Sequence, residues 1–112
     1  MSNQAWYSAR ILMESVHLQT DPGPKLFEDK VILVRAASDD KARHRAKTLA
    51  AASAEEYVNA EGQEVRWVFR GVLDVVRLFD DELVEGTEVY YTFLKEEDVT
   101  AVRRSLESGR LG

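Results

Sequence analysis

One stretch of the chain constrains its fold more than any other: Glu64 to Phe79, which reads EVRWVFRGVLDVVRLF. β-Branched and aromatic residues dominate it, and in its first half they alternate. Val65, Trp67 and Phe69 fall on one face, Arg66 and Arg70 on the other. A period of two is the signature of a half-buried strand. Beyond Gly71 both faces turn apolar, with Val72, Leu73, Val75 and Val76. Fifteen extended residues span about 50 Å, too long for a domain of this size, so a bend or bulge is expected at Gly71, where glycine inside a strand commonly marks one.

The remaining elements follow from the same period test. Trp6 to Leu18 alternates, with Tyr7, Ala9, Ile11 and Met13 on one face and Ser8, Arg10 and Glu14 on the other. Asp21-Pro22-Gly23-Pro24 breaks the pattern as a loop, because proline fixes φ and removes an amide donor. A second strand runs from Leu26 to Ala36. Ser38 is placed to cap a helix, with Asp39 and Asp40 in the first turn where the dipole favours anions. Ala42, Ala46, Leu49, Ala50 and Ser53 then follow helical spacing as a narrow, small-residue stripe suited to close packing on a sheet. Glu55–Asn59 and Glu64–Leu78 read as a hairpin across the turn Asn59-Ala60-Glu61-Gly62, placing Trp67 and Phe69 beneath that stripe. Thr87–Leu94, with Val89, Tyr91 and Phe93 on one side, is expected as a last strand. Glu96 to Ser108 is expected as a short helix with a Val99, Val102, Leu106 stripe. At about 12 residues such a helix is marginal unless docked. The predicted order is β-β-α-β-β-β-α: an α+β single domain over residues 1–112, one antiparallel sheet of about five strands, and a helix packed on one face.

Composition excludes several chemistries. No cysteine is present, so thiol nucleophiles and disulfide scaffolding are absent. His17 and His44 are the two histidines, 27 positions apart, with no zinc-ligand spacing. No glycine-rich phosphate loop occurs. Neither a signal peptide nor an apolar run of membrane-spanning length is evident, so a soluble cytoplasmic protein without cofactor or metal is expected. Asp80-Asp81-Glu82 lacks the alternating oxygen-ligand pattern of a calcium loop and reads as a solvated turn. Lys41, Arg43, Arg45 and Lys47 form a basic helix arc, but the chain carries a net charge of −5, which disfavours nucleic acid as partner.

That charge is concentrated. Between positions 80 and 98 eight acidic residues face Lys95 alone, a local charge of −7. Such a field favours a partner with a basic surface. Asp80, Asp81, Glu82, Glu85 and Glu88 are the expected steering charges, with Tyr90 and Tyr91 as aromatic anchors. Asp74, set among apolar strand residues on the face read as shared by Val72 and Val76, needs a compensating partner, for which Arg35, Arg70 and Arg77 are the candidates. Asp74 and Arg70 therefore mark a polar pocket between helix and sheet if the protein binds a small ligand or has an enzymatic site. Adjacent aromatics, Trp6-Tyr7 and Tyr90-Tyr91, point to opposite faces of a strand. The apolar surplus on both faces suggests a homodimer covering the second face around Val72 and Val76 or at the Trp6 end.

The opening Trp6-Tyr7-Ser8-Ala9 strand, Arg35-Ala36 before a Ser-Asp-Asp helix start, the segment Trp67 to Val75 and the closing Leu83-Val84-Glu85-Gly86-Thr87-Glu88-Val89-Tyr90 share an order and spacing. In these features the chain resembles a family of small bacterial proteins classed only as a domain of unknown function. The resemblance covers about residues 5–94 and leaves 95–112 as a helical extension. It implies a compact α+β domain found alone in bacteria, and it carries no catalytic residue or cofactor to transfer. The favoured expectation is thus a non-catalytic protein-binding module, a toxin-neutralising or regulatory partner using its acidic surface. A small enzyme or ligand-binding domain is the alternative.

Overall fold

The computed structural model describes residues 3–17, 26–53 and 56–107. Its elements are β1 (Ala5–His17), β2 (Phe27–Ala36), α1 (Asp39–Ala52), β3 (Glu56–Val58), β4 (Glu64–Arg77) and α2 (Glu96–Glu107). The four strands form one antiparallel sheet in the order β2-β1-β4-β3. The Asp21–Pro24 loop lies outside the described residues.

The alternation of β1 decides which face is which. Tyr7, Ala9, Ile11 and Met13 point to one side and are all buried. Their cross-strand partners include Val34 and Ile32 on β2 and Val75, Val72 and Phe69 on β4. α1 lies on this side, and its Ala42, Ala46 and Ala50 complete the core. The helix starts as expected, with the Ser38 hydroxyl accepting the Lys41 amide at 3.3 Å. Alanines allow so close an approach that the bulkier Leu49 is left at the rim, 37% exposed, outside the buried stripe. Trp67 and Phe69 are half-buried and pack against the core from its edge.

The long strand bends where its glycine predicts. β4 slips register twice against β1, once between Arg10 and Ile11 and once between Leu12 and Met13. Leu73 and Arg70 are the extra residues, one on each side of Gly71. The first slip also splits a trio read as sharing a face. Val72 pairs with Ile11 on the helix side, while Asp74 and Val76 pair with Arg10 and Ser8 on the other. The turn into β4 is held by Asn59, whose side-chain oxygen accepts the amides of Glu61 and Gln63, and by Gly62 at φ 79°.

The expected fifth strand does not form. Thr87–Leu94 joins no ladder, and the sheet has four strands. The reason is positional: a residue of this segment, Tyr90, hydrogen-bonds the sheet's second face, so the segment crosses that face rather than extending an edge. Along β4, β3 pairs only with Glu64–Arg66, and further on the Val72 carbonyl is taken by the Arg43 guanidinium at 3.1 Å. Where β4 ends, the second face is well covered, with Ser8, Val76 and Leu78 buried. Ser8 Oγ has no hydrogen-bond partner among the described residues. α2 forms where its stripe predicts but packs against no other helix or strand among the described residues.

Candidate functional site

Residues 79–95 form an arm between β4 and α2, and every expected partner-contacting residue lies on it. Its acidic turn is closed by local bonds: Thr87 donates its amide to the Val84 carbonyl at 3.0 Å, and the Val84 amide donates to Thr87 Oγ1 at 2.8 Å. Gly86 supplies the left-handed backbone at φ 89° that lets the chain reverse here. Asp80, Asp81, Glu82, Glu85 and Glu88 are all exposed, and none forms an ion pair among the described residues. Asp81 also lines a polar cleft of about 440 Å³ with Trp6, Arg35 and Arg77, where the Arg35 guanidinium lies 5.2 Å over the Trp6 ring.

Tyr90 and Tyr91 divide the work. Tyr90 is half-buried, and its hydroxyl donates to Asp74 Oδ2 at 2.9 Å. Burial, and then the bond to Asp74, push its phenol above the ordinary tyrosine range. It is therefore the peg that fastens the arm to the sheet rather than a free anchor. Asp74 Oδ1 accepts the Val75 amide at 2.9 Å, so both carboxylate oxygens are satisfied without any arginine. None of the three arginines proposed for Asp74 is its partner in these bonds. Arg70 instead pairs with Glu14, Nε to Oε1 at 3.0 Å, and the expected Asp74–Arg70 pocket is not assembled. Arg10, opposite Asp74 in the register, forks onto Asp29 at 2.8 and 2.9 Å. That bond holds the Asp29 carboxyl below its usual range and raises the guanidinium further.

Tyr91 does face outward, and it is not alone. Its ring stacks on Phe79 at 6.0 Å between centroids and meets Phe93 edge-on at 5.7 Å. Phe79 is 79% exposed and Phe93 90%. Exposed phenylalanines at such levels, joined through the Tyr91 ring, form an apolar patch on the same arm as the acidic turn. Phe93 was legible from its alternation with Tyr91. Phe79 was not, because it ends an apolar run and reads as one more strand residue.

Removing the peg has a measurable consequence. Tyr90→Phe should cost about 1–2 kcal/mol at neutral pH through the lost hydrogen bond to a carboxylate. Because the folded-state phenol titrates above its unfolded value, this advantage is present below pH ~10 and disappears as pH rises through the raised value. Thermal melts of both proteins across that range check it. A difference that persists unchanged into strong alkali contradicts the assignment.

A second concavity, a groove of about 430 Å³ between α1 and β4, is lined by Arg43, His44, Lys47, Phe69 and Arg70. His17 sits at the end of β1, opposite Val65. Among the described residues no group of three or more histidine, aspartate or glutamate side chains is placed to hold a metal ion. No described helix is long and apolar enough to cross a membrane.

No curated protein and no solved structure matches the chain. A family model does, over residues 6–91, which takes in the sheet from Trp6 onward, α1 and the arm as far as Tyr91 while leaving α2 outside. The strand starts, the glycine-bent β4 and the arm pegged by Tyr90 thus all fall within one matched unit, and the chain belongs to the family described as Domain of unknown function (DUF4288).

Proposed function

We propose that the protein is a non-catalytic binding module for another protein with a basic surface, acting in the cytoplasm as a neutralising or regulatory partner. The observation that carries this reading is the Phe79–Tyr91–Phe93 cluster, exposed and set in the arm that also bears the acidic turn. Clustered aromatics ringed by polar groups are the composition of an interface hot spot. The carboxylates would raise the rate of encounter and reject acidic competitors. A partner built to hold phosphate, as nucleases are, presents the complementary charge.

Capture from the native host tests it, comparing wild type with a Phe79→Ser, Phe93→Ser double variant. Neither side chain supports the core, so the melting midpoint should stay within a few degrees while retention of the partner falls at least tenfold. Equal retention by both proteins contradicts the reading.

The groove between α1 and β4 favours a second reading, in which the chain binds a small anionic ligand through Arg43, Lys47 and Arg70 over Phe69. On that reading the aromatic variant would bind as wild type does and Lys47→Glu would not.

A further inference from the structure

α2 is an amphipathic helix that packs on no helix or strand among the described residues. Val102 and Leu106 are 41% and 48% exposed, no residue of the helix is buried, and it touches no other element among the described residues. A 12-residue helix is marginal in water on its own. The whole chain exposes 8509 Å², where a compact chain of its mass exposes about 6,200 Å². Its radius of gyration is 17.5 Å against about 13 Å for a compact domain of this length.

The charges on α2 say what its partner is. The first turn is acidic (Glu96, Glu97, Asp98) and the last turn carries Arg104, with Arg103 beside it. Val99, Val102 and Leu106 lie at i, i+3 and i+7, a two-turn seam. Arg103 and Glu96 flank that seam on the same side, one turn-pair apart. Set antiparallel to itself about a two-fold axis, such a helix opposes its own acidic end with its own basic end. Val99 then meets Val102 of the second copy, Leu106 covers the aliphatic stem of Lys95, and Arg103 faces Glu96, each contact occurring twice.

We propose that two copies of this chain associate through α2 as an antiparallel helix pair, with the Val99–Val102–Leu106 seam at its centre and Glu96–Arg103 ion pairs on its flanks. A parallel pair would place like charges together at both ends, and a foreign helix would need this same pattern. Only a second copy is guaranteed to carry it. The pair uses none of the residues of the acidic turn 80–88 or the aromatic cluster, nor Asp74, so it holds whether or not the arm binds the partner proposed above. It moves the dimer contact away from the sheet: Val72 packs in the helix-side core and Val76 is already buried.

Sedimentation equilibrium of the full chain from micromolar into hundreds of micromolar tests the pairing. Wild type should approach twice the 12.7 kDa chain mass, and Val102→Asp should remain at the single mass. Glu96→Arg and Arg103→Glu should each weaken self-association about tenfold, since each replaces two attractions by two repulsions. Mixed in equal amounts they should recover dimer, because the two variants complement each other. Circular dichroism of the sheet aromatics should not change in any variant. A wild type that stays at the single mass throughout, charge variants that dimerise like wild type, or a mixture that fails to recover overturns the proposal.

Discussion

Ile11→Ala should destabilise the protein by about 3–4 kcal/mol, the largest loss expected from a single truncation here. Ile11 has no exposed surface. It lies on β1, which has neighbours on both edges, and its cross-strand partners are Lys30 and Val72. Backbone pairing on both sides holds its surroundings rigid, so the cavity left by truncation cannot collapse. The removed carbons also lose contact with α1, whose alanines have no length with which to fill the gap. For a domain of this size the melting midpoint should drop by roughly 15 °C. Ile11→Val, which removes one methylene, should cost only about 1 kcal/mol. A melt of Ile11→Ala within a few degrees of wild type would contradict the packing of α1 on the inward face of β1.

That inward face was legible because alternation leaves little freedom. Once Tyr7, Ala9, Ile11 and Met13 share a side, a one-residue slip would expose all four. Ser38 was legible because its hydroxyl has one obvious use, ahead of two aspartates at a helix start. Gly71 signalled irregularity, yet not its extent: two slips flank it, and the one at Leu73 put Val72 and Val76 on opposite faces. Face assignments past a bulge cannot be carried forward by counting in twos. The fifth strand failed for a different reason. Val89, Tyr91 and Phe93 have a strand's spacing, but a ladder needs a partner edge, and spacing is silent about where the chain goes. Asp74 was rightly suspected of needing compensation. Its partner was sought among arginines because charge invites charge, whereas a phenol sixteen residues away and a neighbouring amide do the work. The acidic turn was plain from composition. Which aromatics stand free beside it required knowing that Tyr90 is fastened down.

On the proposed reading this arm recruits a basic protein partner, with its charge acting on encounter and its aromatics on retention. Reversing Asp80, Asp81 and Glu82 to lysine changes the local charge from −7 to −1. At low ionic strength the association rate should fall on the order of tenfold or more, while dissociation changes little. Raising salt should erase most of the difference, because exposed charges are screened beyond about 8–10 Å. Phe93→Ala should show the opposite pattern, speeding dissociation with association nearly unchanged. The most direct measurement is therefore the association rate of the captured partner with wild type and with the triple lysine variant, across a salt series. The wild-type rate should fall steeply with salt, and the variant's shallowly or not at all. Equal rates for the two proteins, indifferent to salt, would contradict that reading.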